Sequence, residues 1–104
     1  MSLEIIWSPL ARQDIEQQLD YLTREWGMQV GIDLLERIDE GLAAITSDPA
    51  TYYQVDASRQ IHKFVVNKYT VLYYQVTSKY IRLITFWDSR QNEDKLTKRL
   101  KNIR

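Results

Sequence analysis

Apolar and polar positions alternate at the start of the chain. Leu3, Ile5 and Trp7 fall on one side of an extended run, which predicts a short strand. Ser8-Pro9 then reads as a helix start. Serine caps a free amide through its side chain, and proline at the first helical position wastes no N–H. Ala11, Ile15, Leu19, Leu22 and Trp26 draw one apolar stripe down the helix that follows. Gly27 is expected to end it in a left-handed conformation. A second helical pattern begins at once, with Gly31, Leu34, Leu35, Ile38, Gly41, Leu42 and Ile45 on one face. Each glycine costs roughly 1 kcal/mol of helix propensity relative to alanine. Close approach of the first helix, in an antiparallel αα-hairpin, is the expected return. Asp48-Pro49 stops the second helix. Asp14, Glu16, Asp20, Asp33, Glu36, Asp39 and Glu40 read as solvated charges on the opposite faces.

Beyond a polar loop at 48–58, which holds Tyr52 and Tyr53, the period changes from helical to alternating. Residues 59–66, 69–76 and 80–87 are rich in Val, Ile, Tyr and Phe, and predict three strands of an antiparallel meander. Asn67-Lys68 joins the first two, asparagine being tolerant of the positive φ of a tight hairpin. The central strand is apolar on both faces, with Val71 and Tyr73 on one and Leu72, Tyr74 and Val76 on the other. One face must receive the helix pair, and the other predicts a groove for a ligand or a partner segment. Residues 92–104 predict a third helix, capped by Asn92, with Leu96, Leu100 and Ile103 as a narrow apolar stripe. Trp7 and Trp26 are expected in the core. The fold class is therefore α+β: a βααβββ order with a C-terminal helix, an antiparallel sheet packed on an αα-hairpin, in one domain over residues 1–104.

Composition narrows the function. Hydrophobic residues make up 44%, which favours a folded domain, and Lys+Arg and Asp+Glu number 14 each. Zero net charge disfavours nucleic-acid binding by bulk positive charge. The chain has no Cys and one His, so neither a thiol nucleophile nor a multi-His metal site is available, and no cofactor is expected. No apolar run reaches membrane-spanning length and the start is unlike a signal peptide, so a cytoplasmic location is expected. The charge is uneven along the chain, however. Residues 1–52 carry 3 basic and 10 acidic side chains, and residues 53–104 carry 11 and 4. Either the halves attract one another in the fold, or the second half offers a basic face to an acidic partner.

Four segments, in this order, resemble the RelE/ParE superfamily of bacterial toxins from type II toxin–antitoxin modules. They are Ile5-Ile6-Trp7-Ser8-Pro9-Leu10-Ala11 with Asp14-Ile15 and Tyr21-Leu22; Leu42-Ala43-Ala44-Ile45 with Pro49; Lys68-Tyr69-Thr70-Val71-Leu72-Tyr73-Tyr74; and Ile81-Arg82-Leu83-Ile84-Thr85-Phe86-Trp87-Asp88-Ser89-Arg90-Gln91-Asn92. The resemblance implies a toxin of a plasmid-stabilisation module that arrests growth and is neutralised by a cognate antitoxin protein, in a hetero-oligomer. RelE-like members cleave mRNA on the ribosome, whereas ParE-like members inhibit DNA gyrase.

Metal-free RNA cleavage needs a base for the 2′-OH, cations at the phosphate and an acid for the leaving oxygen. Where RelE-like toxins carry a strand arginine this chain has Thr70, and residues 92–104 lack the tyrosine found in RelE. The expectation therefore leans to a ParE-like gyrase inhibitor. The alternatives are a RelE-like endonuclease, with His62, Lys63 and Arg90 as its catalytic candidates, or an inactive interaction module. His62 is a candidate because its pKa lies near neutrality. Lys63 and Arg90 follow from the resemblance. Arg59, Lys63, Trp87, Arg90, Lys98 and Arg99 are the target-binding candidates. Trp87 is open to two readings, a base-stacking ring or a core residue. Arg90 is open to phosphate or partner contact, or to a salt bridge with Asp88 or Asp94. Lys95, Lys98, Arg99, Lys101 and Arg104 make the last helix basic, and Arg90 with that helix is the expected contact surface.

Overall fold

A computed structural model describes residues 3–102; Ile103 and Arg104, at the end of the expected apolar and basic stripes of the last helix, lie outside the described residues. The order is β1 (Glu4–Trp7), α1 (Pro9–Trp26), α2 (Met28–Ser47), β2 (Gln54–Asp56), β3 (Ile61–Val65), β4 (Thr70–Val76), β5 (Tyr80–Asp88) and α3 (Glu93–Lys101). The sheet order is β1-β5-β4-β3-β2. The β3–β4–β5 meander is antiparallel, but β1 runs parallel to β5, from Glu4↔Tyr80 to Trp7↔Leu83. The sheet is thus mixed and not antiparallel throughout. Strand direction at an edge is set by where the helix pair returns the chain, which alternation along β1 does not encode. The short edge strand β2 lies in the segment expected to be loop. It pairs with β3 through Gln54↔His62 and Asp56↔Ile61.

Ser8 caps α1 by accepting from the Ala11 amide at 2.9 Å, and its hydroxyl also donates to the Ile84 carbonyl at 2.8 Å, so the cap ties the helix to β5. Gly27 separates the two long helices as a single residue with φ +99° and ψ 166°. This is not the left-handed helical region expected of it, but a conformation open essentially to glycine alone. The two glycines of α2 serve different neighbours. At Gly31 a methyl group would lie 2.9 Å from Thr23 Oγ1 of α1, the expected close approach; at Gly41 it would lie 2.1 Å from the Phe64 ring of β3. The β3–β4 turn also closes differently from expectation. Asn67 takes no positive φ, and its Oδ1 accepts from the amides of Tyr69 and Thr70.

The main core lies between the helix pair and one sheet face. Ala11, Ile15, Leu34, Ile38 and Ile45 meet Phe64, Leu72, Tyr74, Ile81, Leu83 and Phe86 there. The opposite face is not an open groove. Tyr73, Ile84, Trp87 and Ile61 form a second cluster on which Leu96 and Leu100 of α3 pack. The second cluster depends on a bulge. Tyr73 pairs with Thr85 and Tyr74 with Leu83, so Ile84 is the extra residue in β5. The bulge inverts the alternation, sending Leu83 and Phe86 to the helix side and Ile84 and Trp87 to the α3 side.

Candidate functional site

A cleft of about 500 Å³ opens between α1, the β3–β4 turn and the end of β5. Its floor is a polar network centred on Asp14. Asp14 of α1 is only 8% exposed. Its carboxylate accepts from the Thr85 hydroxyl, from the Phe86 amide at 3.2 Å and from Arg99 of α3 at 3.2 Å. Arg99 also donates to Thr85 Oγ1 at 2.9 Å and lies over the Trp87 ring at 5.2 Å. One turn along α1, Gln18 donates to the Phe86 carbonyl at 2.9 Å and accepts from the Thr70 hydroxyl at 2.6 Å. Asp14 and Gln18, at the i, i+4 spacing of one helix face, thus satisfy the amide and carbonyl of Phe86, which lies beyond the last β1–β5 pair, Trp7↔Leu83. Asp14 is therefore not a solvated charge. It falls beside Ile15 and three residues after Ala11, on the apolar stripe itself, and that position was the legible sign of burial.

The rim is aromatic and cationic. Arg90 forms a two-pronged pair with Asp88, at 3.0 and 2.8 Å, and its guanidinium lies 4.6 Å from the Tyr69 ring centroid and 6.0 Å from that of Tyr21. The Arg90 hydrogen bond, offset in part by burial, holds the Asp88 carboxyl below the usual range; the same pair raises the Arg90 pKa. Of the alternatives for Arg90, the geometry realises the salt bridge to Asp88. At the far end of α1, Trp26 stands 69% exposed at the cleft mouth and not in the core as expected, because α1 runs past the edge of the sheet that would cover it. Trp7 stacks on Phe86 at 5.3 Å and is partly buried.

The other candidates do not gather here. His62 is 4% exposed on the helix side of β3, its ring stacked 5.3 Å from Tyr74 and its Nδ1 3.0 Å from the Tyr52 carbonyl. A carbonyl partner makes Nδ1 the donor. His62 thus lies apart from the Asp14 cleft, lining a second cavity of about 300 Å³ with Tyr52, Gln54, Gln60 and Val76. Lys63 points to the opposite face and lies 5.5 Å from the Tyr53 ring. His62 pairs with Tyr74, whereas Arg90 follows Asp88, the partner of Thr70, four residues back along β4 or about 14 Å. Arg59 is a clamp. It binds Asp56 at 2.8 Å and donates to the Leu100 carbonyl at the end of α3. Trp87 is 2% exposed beneath Arg99, so neither ring face is open to stack on a base. Arg99 closes the Asp14 network, while Lys98 is exposed on α3. Among the described residues, no group of three His, Cys, Asp or Glu side chains is placed to hold a metal ion.

Comparison with known proteins agrees with this architecture. The solved chromosomal ParDE toxin–antitoxin system of P. aeruginosa contains a chain with a TM-score of 0.69 at 11% identity, over 84% of this chain and 96% of that one. A YoeB dimer from Staphylococcus aureus matches with a TM-score of 0.60 at 18% identity, over 84% and 97%. The DinJ–YafQ toxin–antitoxin complex of E. coli matches with a TM-score of 0.59 at 10% identity, over 85% and 93%. No curated protein sequence matches. The family model described as the ParE toxin of the parDE type II toxin–antitoxin system matches residues 5–93, which run from β1 through the bulged β5 into the start of α3. The chain belongs to the ParE family of type II toxins.

Proposed function

We propose that this chain is a non-nucleolytic, ParE-like toxin, a single domain that acts in the cytoplasm, arrests growth by inhibiting DNA gyrase, serves plasmid stabilisation and is held inactive by a cognate antitoxin. One observation carries the choice between gyrase and RNA. At the position where RelE-like toxins carry a strand arginine, Thr70 is 3% exposed and bound to Gln18. It brings no charge to a phosphate. The Asp88 partner of Arg90 supports the same reading, since that guanidinium is already matched by a carboxylate. The similarity to solved toxin–antitoxin complexes supports the antitoxin as partner. On the toxin side, Met28, Ile32 and Leu35 form an exposed row on α2 among Asp33, Glu36 and Asp39. Such a row suits a helix laid across the hairpin.

The test is a pair of assays on the purified chain. Gyrase-driven supercoiling is expected to be inhibited, and the co-purified antitoxin is expected to relieve the inhibition. Primer extension on translating ribosomes is expected to show no new ends. Codon-dependent cuts within minutes, with supercoiling untouched, would overturn the reading in favour of an endonuclease.

A further inference from the structure

His62 is the one histidine of the chain and is 4% exposed, yet only one of its ring nitrogens has a partner among the described residues. Nδ1 lies 3.0 Å from the Tyr52 carbonyl, which can only accept, so Nδ1 carries the proton and Nε2 keeps its lone pair. The described residues give Nε2 no hydrogen bond, and among them no side-chain nitrogen or oxygen is sealed from solvent without a partner. Nε2 therefore opens into the cavity of about 300 Å³ that His62 lines. Strand register fixes the neighbours. Gln54, His62 and Tyr74 stand opposite one another in a row across β2, β3 and β4, so their side chains share one face of the sheet. The Tyr74 ring stacks on the imidazole at 5.3 Å, with 13° between the planes. Its hydroxyl donates to the Pro49 carbonyl at 3.1 Å, and with the His62–Tyr52 bond this pins the 48–53 loop over the sheet.

The walls decide the occupant. Pro49, Ala50, Tyr52 and Val76 supply apolar surface, and no residue that lines the cavity carries a fixed charge. The charged residues next to the lining in sequence are turned to other partners: Asp48 accepts from the Ala50 amide, Arg59 binds Asp56, and Lys63 lies on the opposite face of β3 against Tyr53. The two carboxamides at the rim are engaged, Gln54 donating to Gln60 at 3.1 Å and Gln60 to the Ala57 carbonyl at 3.2 Å. What remains is one buried acceptor in a largely apolar enclosure, where a matching donor gains more than it does in water. A charged ligand would lose its hydration there with no opposite charge to offset the loss. We propose that this cavity binds a small neutral aromatic molecule bearing one N–H or O–H donor, of the indole or phenol type, with its donor on His62 Nε2 and its ring against the Tyr52 and Val76 walls. The Tyr52 and His62 rings favour an aromatic body over an aliphatic one. The volume lies at the lower end of the range of small-molecule sites, which suits a ligand of one or two rings. The proposal does not depend on which target the toxin inhibits.

The experiment is a calorimetric titration of the purified, untagged full chain at pH 8 with indole and with N-methylindole, which has nearly the same shape but no N–H. Indole is expected to saturate one site in the micromolar to millimolar range. N-methylindole is expected to bind roughly 3- to 10-fold more weakly, the range for one hydrogen bond. His62→Phe keeps a ring beside Tyr74 and removes the acceptor, and in that variant indole is expected to bind no tighter than N-methylindole. A second measurement needs no variant. The chain has one histidine, so the imidazole nitrogen signals of its ¹⁵N NMR spectrum belong to His62. The Nε2 signal is expected to move upfield as indole saturates the site, and to move far less with N-methylindole. Absence of saturable indole binding overturns the proposal. So does equal binding of the two indoles by the unaltered chain, a preference for indole that survives His62→Phe, or an Nε2 signal that indole leaves in place.

Discussion

At the scale of single residues, Asp14 shows how one buried charge organises its surroundings. It is satisfied by the Thr85 hydroxyl and the Phe86 amide of β5 and by Arg99 of α3. Removing Arg99 leaves a carboxylate largely withdrawn from water with only neutral donors. Arg99→Ala is therefore expected to destabilise the fold by about 2 kcal/mol, read as a shift in the urea midpoint. Lys98→Ala, one residue away and exposed, is expected to stay within about 0.5 kcal/mol. A variant combining Arg90→Ala, Lys98→Ala and Arg99→Ala is thus a poor probe of a contact surface, since one of its members holds α3 down. The α2 glycines make a second contrast. Gly41→Ala drives a methyl group into the Phe64 ring and is expected to cost about 1–3 kcal/mol. Gly31→Ala meets a movable hydroxyl and gains helix propensity, so it is expected to be near neutral. Acid provides a third test. The Asp56 carboxyl is held from 3.8 down to about 2, first by the Arg59 side-chain hydrogen bond and then by Ser58 and the Arg59 amide. A value depressed by folding contributes stability that is complete above the unfolded pKa and fades as pH falls through the folded one. The urea midpoint is expected to drop between about pH 4 and pH 2, and Asp56→Asn is expected to remove part of that drop.

At the scale of elements, α3 has no buried residue and yet covers the second sheet face. Two apolar side chains, the Arg99 link and the Arg59 bond to the Leu100 carbonyl hold it there. Truncation after Asn92 removes all of these and uncovers Tyr73, Ile84 and Trp87. The truncated chain is expected to bind an apolar dye, and its tryptophan emission is expected to shift to longer wavelength as Trp87 meets water. Unchanged emission would place α3 outside the core. Gly27 sets the angle between the long helices by a backbone conformation closed to other residues. Gly27→Ala is expected to cost about 1–3 kcal/mol through strain, although nothing lies within 4 Å of the added methyl group.

At the scale of the molecule, the charge split along the sequence becomes a split between layers. Arg24–Asp20 and Arg37–Glu40 stay within the helix pair, and Arg59–Asp56 and Arg90–Asp88 within the second half; Arg99–Asp14 joins the two. Most of the acidic residues of α1 and α2 therefore remain on their outer faces, and Lys63 and Lys98 remain available on the other side. A target that meets the basic side through charge is expected to associate more slowly as salt rises, with kon falling while koff changes little. Lys63→Glu with Lys98→Glu is expected to flatten that salt dependence in a stopped-flow measurement without lowering the thermal midpoint.

The chain's local chemistry was legible from its residues. The Ser8-Pro9 cap, the stripe from Ala11 to Leu22, the stop at Asp48 and the three meander strands all follow from signals that act within a few residues, where caps, turns and periodicity operate. That Thr70 stands where the resemblance implies a strand arginine was equally readable, whereas its burial against Gln18 was not. What tertiary structure alone decided are matters of which distant segments meet. The parallel pairing of β1 with β5, the bulge at Ile84 and the cover that α3 lays over Trp87 each join residues far apart in sequence. One inserted residue in β5 reverses which side chains face the helices, and periodicity read from β5 as a uniform strand cannot anticipate it. For the same reason Trp26, on the apolar stripe of α1, stands in solvent: the stripe outlasts the sheet it packs on, and the length of that sheet is fixed by strands elsewhere in the chain.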